Sequence, residues 1–245
     1  MPHLRQRAAL LGLGLTLALT ACASRGEEIP PEEVPWALVF QEEFTHPDKI
    51  DDFALSDPAA WRWGRVEHNS YLELFAPSDY QPPHRSPTGI ALLPDLLVAD
   101  FDMEIRVEQT GRNYGHRDLC VIFGFVSPER YYYTHLAPLP DANAHNVFAV
   151  DRAPRVNLLP PKTEGIEWGN GEWHTIRVER RTGPGTIRVF WDGAEEPVFE
   201  AEDLRFGWGR LGFGSFDDTG RVTEIQVWAP ETRPVEVADP FAGLR

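Results

Sequence analysis

Apolar and polar residues alternate with a period of two through the last third of the chain. Between residues 171 and 180, His174, Ile176 and Val178 alternate with Thr175, Arg177 and Glu179. Between 186 and 193, Ile187, Val189 and Trp191 alternate with Thr186, Arg188 and Phe190. Residues 209–220 set glycine along one face and end in an acidic turn, and residues 222–229 alternate Thr223, Ile225 and Val227 with Glu224, Gln226 and Trp228. Consecutive short segments of this period, punctuated by Gly, Pro and Asp, predict an antiparallel sheet. Upstream, residues 37–44, 60–64, 70–75, 98–108, 118–126, 130–136 and 146–151 carry further strand patterns. Segment 118–126 is apolar on both faces, which predicts a central strand, and the next two strands are expected to be central as well. Segments 48–57, 76–94 and 153–170 read as loops; the second holds five prolines, and loops of that length are often functional. Ten or more short strands, with no repeat and no long helical pattern, predict an all-β sandwich of two antiparallel sheets. Trp173, Ile176, Val178, Val189 and Phe213 are expected at or near its core.

The N-terminus departs from this pattern. Arg5 and Arg7 precede an apolar stretch from Ala8 to Ala21 that ends in Leu19-Thr20-Ala21-Cys22. A basic start, a short apolar middle and small residues before the cut describe a signal peptide over residues 1–21. The Leu-Thr-Ala-Cys ending resembles a bacterial lipobox, which implies lipidation at Cys22 and a protein held at the bacterial cell envelope by that lipid alone. Residues 22–35 are acidic and proline-rich and read as a tether; the sandwich is expected over 36–230, followed by a loosely ordered tail over 231–245. Removing residues 1–21 takes away two arginines and no acid, moving the formal net charge from −15 to −17. That charge argues against nucleic acid as a partner. With Cys22 lipidated, Cys120 has no cysteine to pair with and reads as a small buried hydrophobe. The domain is expected to act as a monomer.

The strand order W-H-T-I-R-V-E, I-R-V-F-W-D-G and G-R-L-G-F-G-S-F, followed by a closing strand, resembles the back half of the concanavalin A-like lectin/glucanase superfamily. That superfamily includes laminin-G-like and 3-keto-disaccharide-hydrolase-like domains, and the resemblance covers roughly Val39 to Trp228. It implies a jelly-roll sandwich in which the exposed face of one sheet binds or cleaves glycans.

One segment gathers side chains suited to such a ligand. His116-Arg117-Asp118, Tyr131–His135, Asp141, Asn143, His145-Asn146, Asp151 and Arg155 all fall within residues 115–155. Strand parity and hairpin adjacency predict that Tyr133, His135, His145 and Asp151 share one sheet face, with His116, Arg117, Asn143 and Arg155 around them. Aromatic rings suit the C–H faces of sugars, and forked polar groups suit hydroxyls. If the site is catalytic, His135 and His145 are the candidate acid/base groups, titrating near neutral pH.

Other constellations point elsewhere. Asp100, Asp102 and Glu104 share a strand face and look like the E-x-D-x-E strand of laminarinase-type hydrolases. The first position is Asp rather than Glu, however, and the polar parity continues through Arg106 and Glu108, as on a solvated face. Glu42-Glu43 and Asp217-Asp218 would supply oxygen ligands for a structural calcium if the terminal strands brought them together. His116, His135 and His145 lack the short paired spacing of a zinc site, so no metal ligands are assigned. The expected function is carbohydrate binding. The alternatives are a hydrolase or lyase acting on a saccharide, as in 3-keto-disaccharide hydrolases, and a laminin-G-like structural or protein-interaction domain.

Overall fold

The computed structural model describes residues 34–236 and 239–244; the expected signal peptide, Cys22 and nearly all of the tether lie outside the described residues. Fifteen strands follow one another: β1 (Ala37–Glu42), β2 (Ala54–Leu55), β3 (Trp61–Val66), β4 (Asn69–Leu74), β5 (Gly89–Leu92), β6 (Phe101–Gln109), β7 (Cys120–Ser127), β8 (Arg130–His135), β9 (Asn146–Asp151), β10 (Val156–Asn157), β11 (Trp173–Arg181), β12 (Thr186–Trp191), β13 (Phe199–Glu202), β14 (Arg210–Ser215) and β15 (Gly220–Ala229). Among the described residues two short 3-10 turns, Pro47–Asp52 and Pro58–Ala60, interrupt them.

The strands form two antiparallel sheets. The first runs β13-β12-β11-β6-β15-β4-β3, with β1 also paired to β15; the second runs β10-β9-β8-β7-β14-β5-β2. The sandwich is therefore of the jelly-roll type expected. The alternation of β11 shows why: Ile176 and Val178 point inward and are buried, while Thr175, Arg177 and Glu179 are partly exposed. Met103, Ile105 and Val107 of β6, Val121 and Phe123 of β7, and Phe213 of β14 meet them between the sheets. Each such side chain contributes roughly 1.5–3 kcal/mol by leaving water.

A second apolar cluster covers the outer face of the second sheet. Ile122, Tyr131, Tyr133, Phe148 and Val150 lie under Tyr80 from the β4–β5 connection and Phe241 from the C-terminal segment. The described part of the C-terminal segment packs on the sandwich. Leu97 and Arg233 exchange backbone hydrogen bonds, and Phe241 is buried edge-on to Tyr80. Two expectations change. The proline-rich 76–94 segment contains β5, a strand between β14 and β2. Trp173 does not enter the core: by the parity of β11 it faces outward, half-buried beside Tyr71 and under Arg106. Cys120 is buried, as expected, but its thiol donates to the Asp118 carboxylate, 2.7 Å away.

Candidate functional site

Four connections converge at one end of the outer face of the second sheet, because antiparallel pairing places the starts of β5, β7 and β9 beside the ends of β8 and β14. There they enclose a cleft of about 190 Å³. Arg85 enters from the β4–β5 connection, and Arg112, Tyr114 and His116 from the β6–β7 connection; Asn143 comes from the β8–β9 hairpin, and Phe216 and Asp217 from the β14–β15 turn. Arg155 reaches in from the edge of the sheet, and Asp118 and His135 form the floor. Cross-strand register explains the position of Arg155. Val156 lies opposite Ala149, which faces the core, so Arg155 falls on the outer side. Its guanidinium sits 4.4 Å from the Phe148 ring centroid and 5.1 Å from that of Phe216. Nη1 donates to the Tyr133 hydroxyl at 2.5 Å and Nη2 to the Asn143 carbonyl at 2.8 Å.

The floor is polar and out of water. The Asp118 carboxylate accepts from Ser215 Oγ at 3.0 Å and from Cys120 Sγ, while its backbone N–H donates to Asp218. Tyr114 OH donates to the same Asp218 oxygen, at 2.9 Å. Burial pushes the Asp118 carboxyl up to about 8; the hydrogen bonds from Cys120 and Ser215 pull it down, and the adjacent Asp218 adds to the rise. Asp118 therefore keeps its proton at neutral pH. Burial also raises Asp218 above the ordinary carboxylate range and the Cys120 thiol well above the thiol range. His135 Nδ1 accepts from the His145 backbone N–H at 3.4 Å, which leaves the ring proton on Nε2, 3.8 Å from Asp118. Burial, followed by the nearby Arg155, lowers its pKa to about 3. His135 is thus a neutral imidazole near pH 7, too weakly basic to titrate there.

The expected residues divide into two sets. His116, His135, Asn143 and Arg155 come together in the cleft, and Tyr133 lies beneath it, fully buried and stacked on Phe148. His145, Asp151 and Arg117 do not join them. In the β8–β9 pair, Tyr133 faces Phe148 and His135 faces Asn146. Residues directly opposite share a sheet face, so the odd-numbered positions of β9 point away from His135. His145 takes a left-handed backbone (φ 56°) at the hairpin and packs its ring against Phe199; its Nδ1 accepts from Ala137 N–H, and burial lowers its pKa to about 4. Asp151 is exposed and pairs with Arg130 at 3.1 Å. Arg117 is buried and turned to Gly169 and Asn170. The proposed face-sharing of Tyr133, His135, His145 and Asp151 is thereby corrected, and so is any convergence of the three histidines.

The acidic pairs do not meet either. Glu42 lies opposite Ile225 on β15, whereas Asp217 and Asp218 precede Gly220 at the start of that strand, more than ~16 Å away at the usual strand rise. These residues do not fit a calcium site. On the outer face of the first sheet a polar groove of about 250 Å³ includes Glu104, His68 and Gln226. Its strand does not offer a free carboxylate pair, since Asp100 accepts from Thr182 and Asp102 pairs with Arg181 at 2.8 Å.

Sequence reasoning left out Arg85, Arg112, Tyr114 and Phe216, and cited Asp217 only for calcium. The length and proline content of the 76–94 connection was the one available signal for Arg85; nothing local marks the others.

A scan against protein-family models gives no match, and a search of curated proteins gives none. Solved structures share the fold. The carbohydrate-binding module CBM66 from Bacillus subtilis aligns with a TM-score of 0.50 at 12% identity, over 71% of this chain and 93% of that one. The lectin UEA-II, solved with galactose, aligns with a TM-score of 0.50 at 11% identity, over 81% of this chain and all of the lectin.

Proposed function

We propose that this domain binds carbohydrate in the cleft between the β6–β7, β8–β9 and β14–β15 connections. The observation that carries the reading is the juxtaposition in one open cleft of the half-buried Phe216 ring with fixed, forked donors: Arg155, held by Tyr133 and Asn143, and the imidazole of His116, 3.0 Å from Asp141. A sugar needs an apolar ring face and oriented hydrogen-bond partners at its edge. The lectin and carbohydrate-binding module that share the fold support the same ligand class. Binding is favoured over catalysis by the floor. His135 has been moved far below neutrality and His145 is not in the cleft, so no histidine pair is poised for proton transfer. A hydrolase or lyase acting on a saccharide, and a laminin-G-like interaction domain, are the alternatives that the same experiment separates. We further propose, from the Leu19–Cys22 sequence, that the domain is carried at the bacterial envelope as a lipoprotein.

The test is a glycan-array screen followed by calorimetry on the hits, with product analysis of the same mixtures. The reading predicts saturable binding without product, weakened about tenfold or more in Phe216→Ala, as for a central aromatic contact. Accumulating product would make the domain an enzyme. Absence of any saccharide ligand would leave the interaction-domain alternative.

A further inference from the structure

We infer that the saccharide taken by this cleft is anionic, bearing carboxylate or sulfate groups. This rests on the reading of the cleft as a carbohydrate site and narrows it. Acids outnumber Lys and Arg by 38 to 23 in the chain, and on the sheets an arginine ordinarily finds one: Arg106, Arg130, Arg181 and Arg221 each hold a carboxylate within 3.1 Å. Arg85, Arg112 and Arg155 are different. All three line the cleft, and none forms an ion pair with any described residue. Asp217, on the same rim, pairs with none of them.

Gathering three cations without an acidic partner costs the fold repulsion, a local inconsistency of the kind found where a ligand completes the arrangement. The geometry suits an anion. A guanidinium presents planar paired donors that match carboxylate or sulfate oxygens. Two of Arg155's five N–H groups are engaged, by Tyr133 and Asn143, and the ring packing against Phe148 and Phe216 fixes the plane of the rest. Arg112 lies over the Tyr114 ring at 4.4 Å, which holds it at the rim. The chain's overall negative charge does not oppose this at moderate salt, where charges beyond ~10 Å are screened; within the cleft the arginines face Asp217, which is exposed, and Asp118, whose carboxyl burial keeps largely protonated.

The test pairs acidic oligosaccharides with their neutral counterparts: oligogalacturonate with its methyl ester, and sulfated with unsulfated dextran oligosaccharides. Inorganic sulfate alone serves as a further probe, all by calorimetry in about 0.1 and about 0.5 M salt. The inference predicts that an acidic member binds about tenfold or more tightly than its neutral partner and weakens at the higher salt. Arg85→Gln and Arg112→Gln, at exposed positions that leave the core intact, should each reduce acidic binding about threefold to tenfold, and reduce it more than they reduce binding of the neutral partner. Preference for one pair assigns carboxylate or sulfate as the recognised group. Equal binding of acidic and neutral members, insensitive to either substitution, overturns the inference and leaves the carbohydrate reading standing. Binding of inorganic sulfate with no saccharide bound overturns both, as does binding of none of the probes.

Discussion

Replacing Asp118 by Asn should remove a pH dependence of stability that the buried floor of the cleft creates. In the folded protein Asp118 is 1% exposed and titrates at about 8, whereas in the unfolded chain it ionises in the ordinary carboxylate range. Between pH 6.5 and 8 the folded state therefore holds a proton that the unfolded state has released. Stability falls as pH rises wherever the folded state binds more protons. Taken alone, Asp118 lowers stability by about 1–2 kcal/mol over that range; His135 and His145, still part-protonated in the unfolded chain at pH 6.5, offset about half of this, which leaves a net loss of about 1 kcal/mol, or about 2–4 °C in melting temperature for a domain of this size. Asp218 acts in the same direction. The buried histidines act in the opposite direction. Around and below pH 6.5 the unfolded chain protonates His135 and His145, which the folded protein keeps neutral down to about 3 and about 4, so the loss of stability with rising pH should be steepest between about pH 7 and 8 and flatten toward pH 6.5, where the histidines offset Asp118 and Asp218. Asn reproduces the protonated acid, with one acceptor for Ser215 and one donor, and does not titrate. Urea unfolding at pH 6.5 and 8 should show Asp118→Asn close to wild type at the lower pH and with a much flatter slope above it. A wild type equally stable at both values, or a variant that retains the full wild-type slope, would refute the reasoning.

Phe213→Ala should cost about 3–5 kcal/mol in chemical denaturation, because Phe213 is fully buried edge-on to both Phe53 and Trp61. Trp173→Ala should cost distinctly less, about 1–2 kcal/mol, since that ring is half-buried on the outer face; equal losses would contradict the assigned parity of β11. Gly214→Ala should destabilise by about 1–3 kcal/mol, because a Cβ there would lie 2.0 Å from the Gly89 carbonyl oxygen on the paired strand; a neutral result by thermal melting would mean that β5 and β14 do not approach as described. Cys22→Ser should move the protein from the membrane fraction to the soluble fraction in a bacterium competent for lipoprotein maturation, and an unchanged distribution would argue against the anchor.

The layer architecture was legible because a half-buried strand writes its burial directly into alternating sequence. The swap from Thr175 to Ile176 along β11 is enough to say which side meets the core, and the same parity would have turned Trp173 outward had it been applied there. β7 was legible as central because both its faces are apolar, one against the other sheet and one against Tyr131 and Phe241. Register was not legible. Pairing His135 with Asn146 rather than His145 is a one-residue difference, and in a period-two structure that moves a side chain to the opposite face. The left-handed residue at His145 leaves no mark in composition. β5 was hidden because four residues between proline-rich flanks are too short for a periodic signal. The arginines of the cleft come from three connections separated in sequence, so only the folded arrangement shows that they share a space and lack acidic partners.

The central claim is that a saccharide occupies the cleft over Asp118 and His135. A crystal structure, or backbone amide shift mapping, with a bound oligosaccharide from the screen tests it most directly. The account predicts ligand contacts at Phe216, His116, Asn143 and Arg155, with one sugar ring against the Phe216 face. Ligand seated instead in the groove of the first sheet beside Glu104 and Gln226, with the residues of the cleft unperturbed, would contradict it.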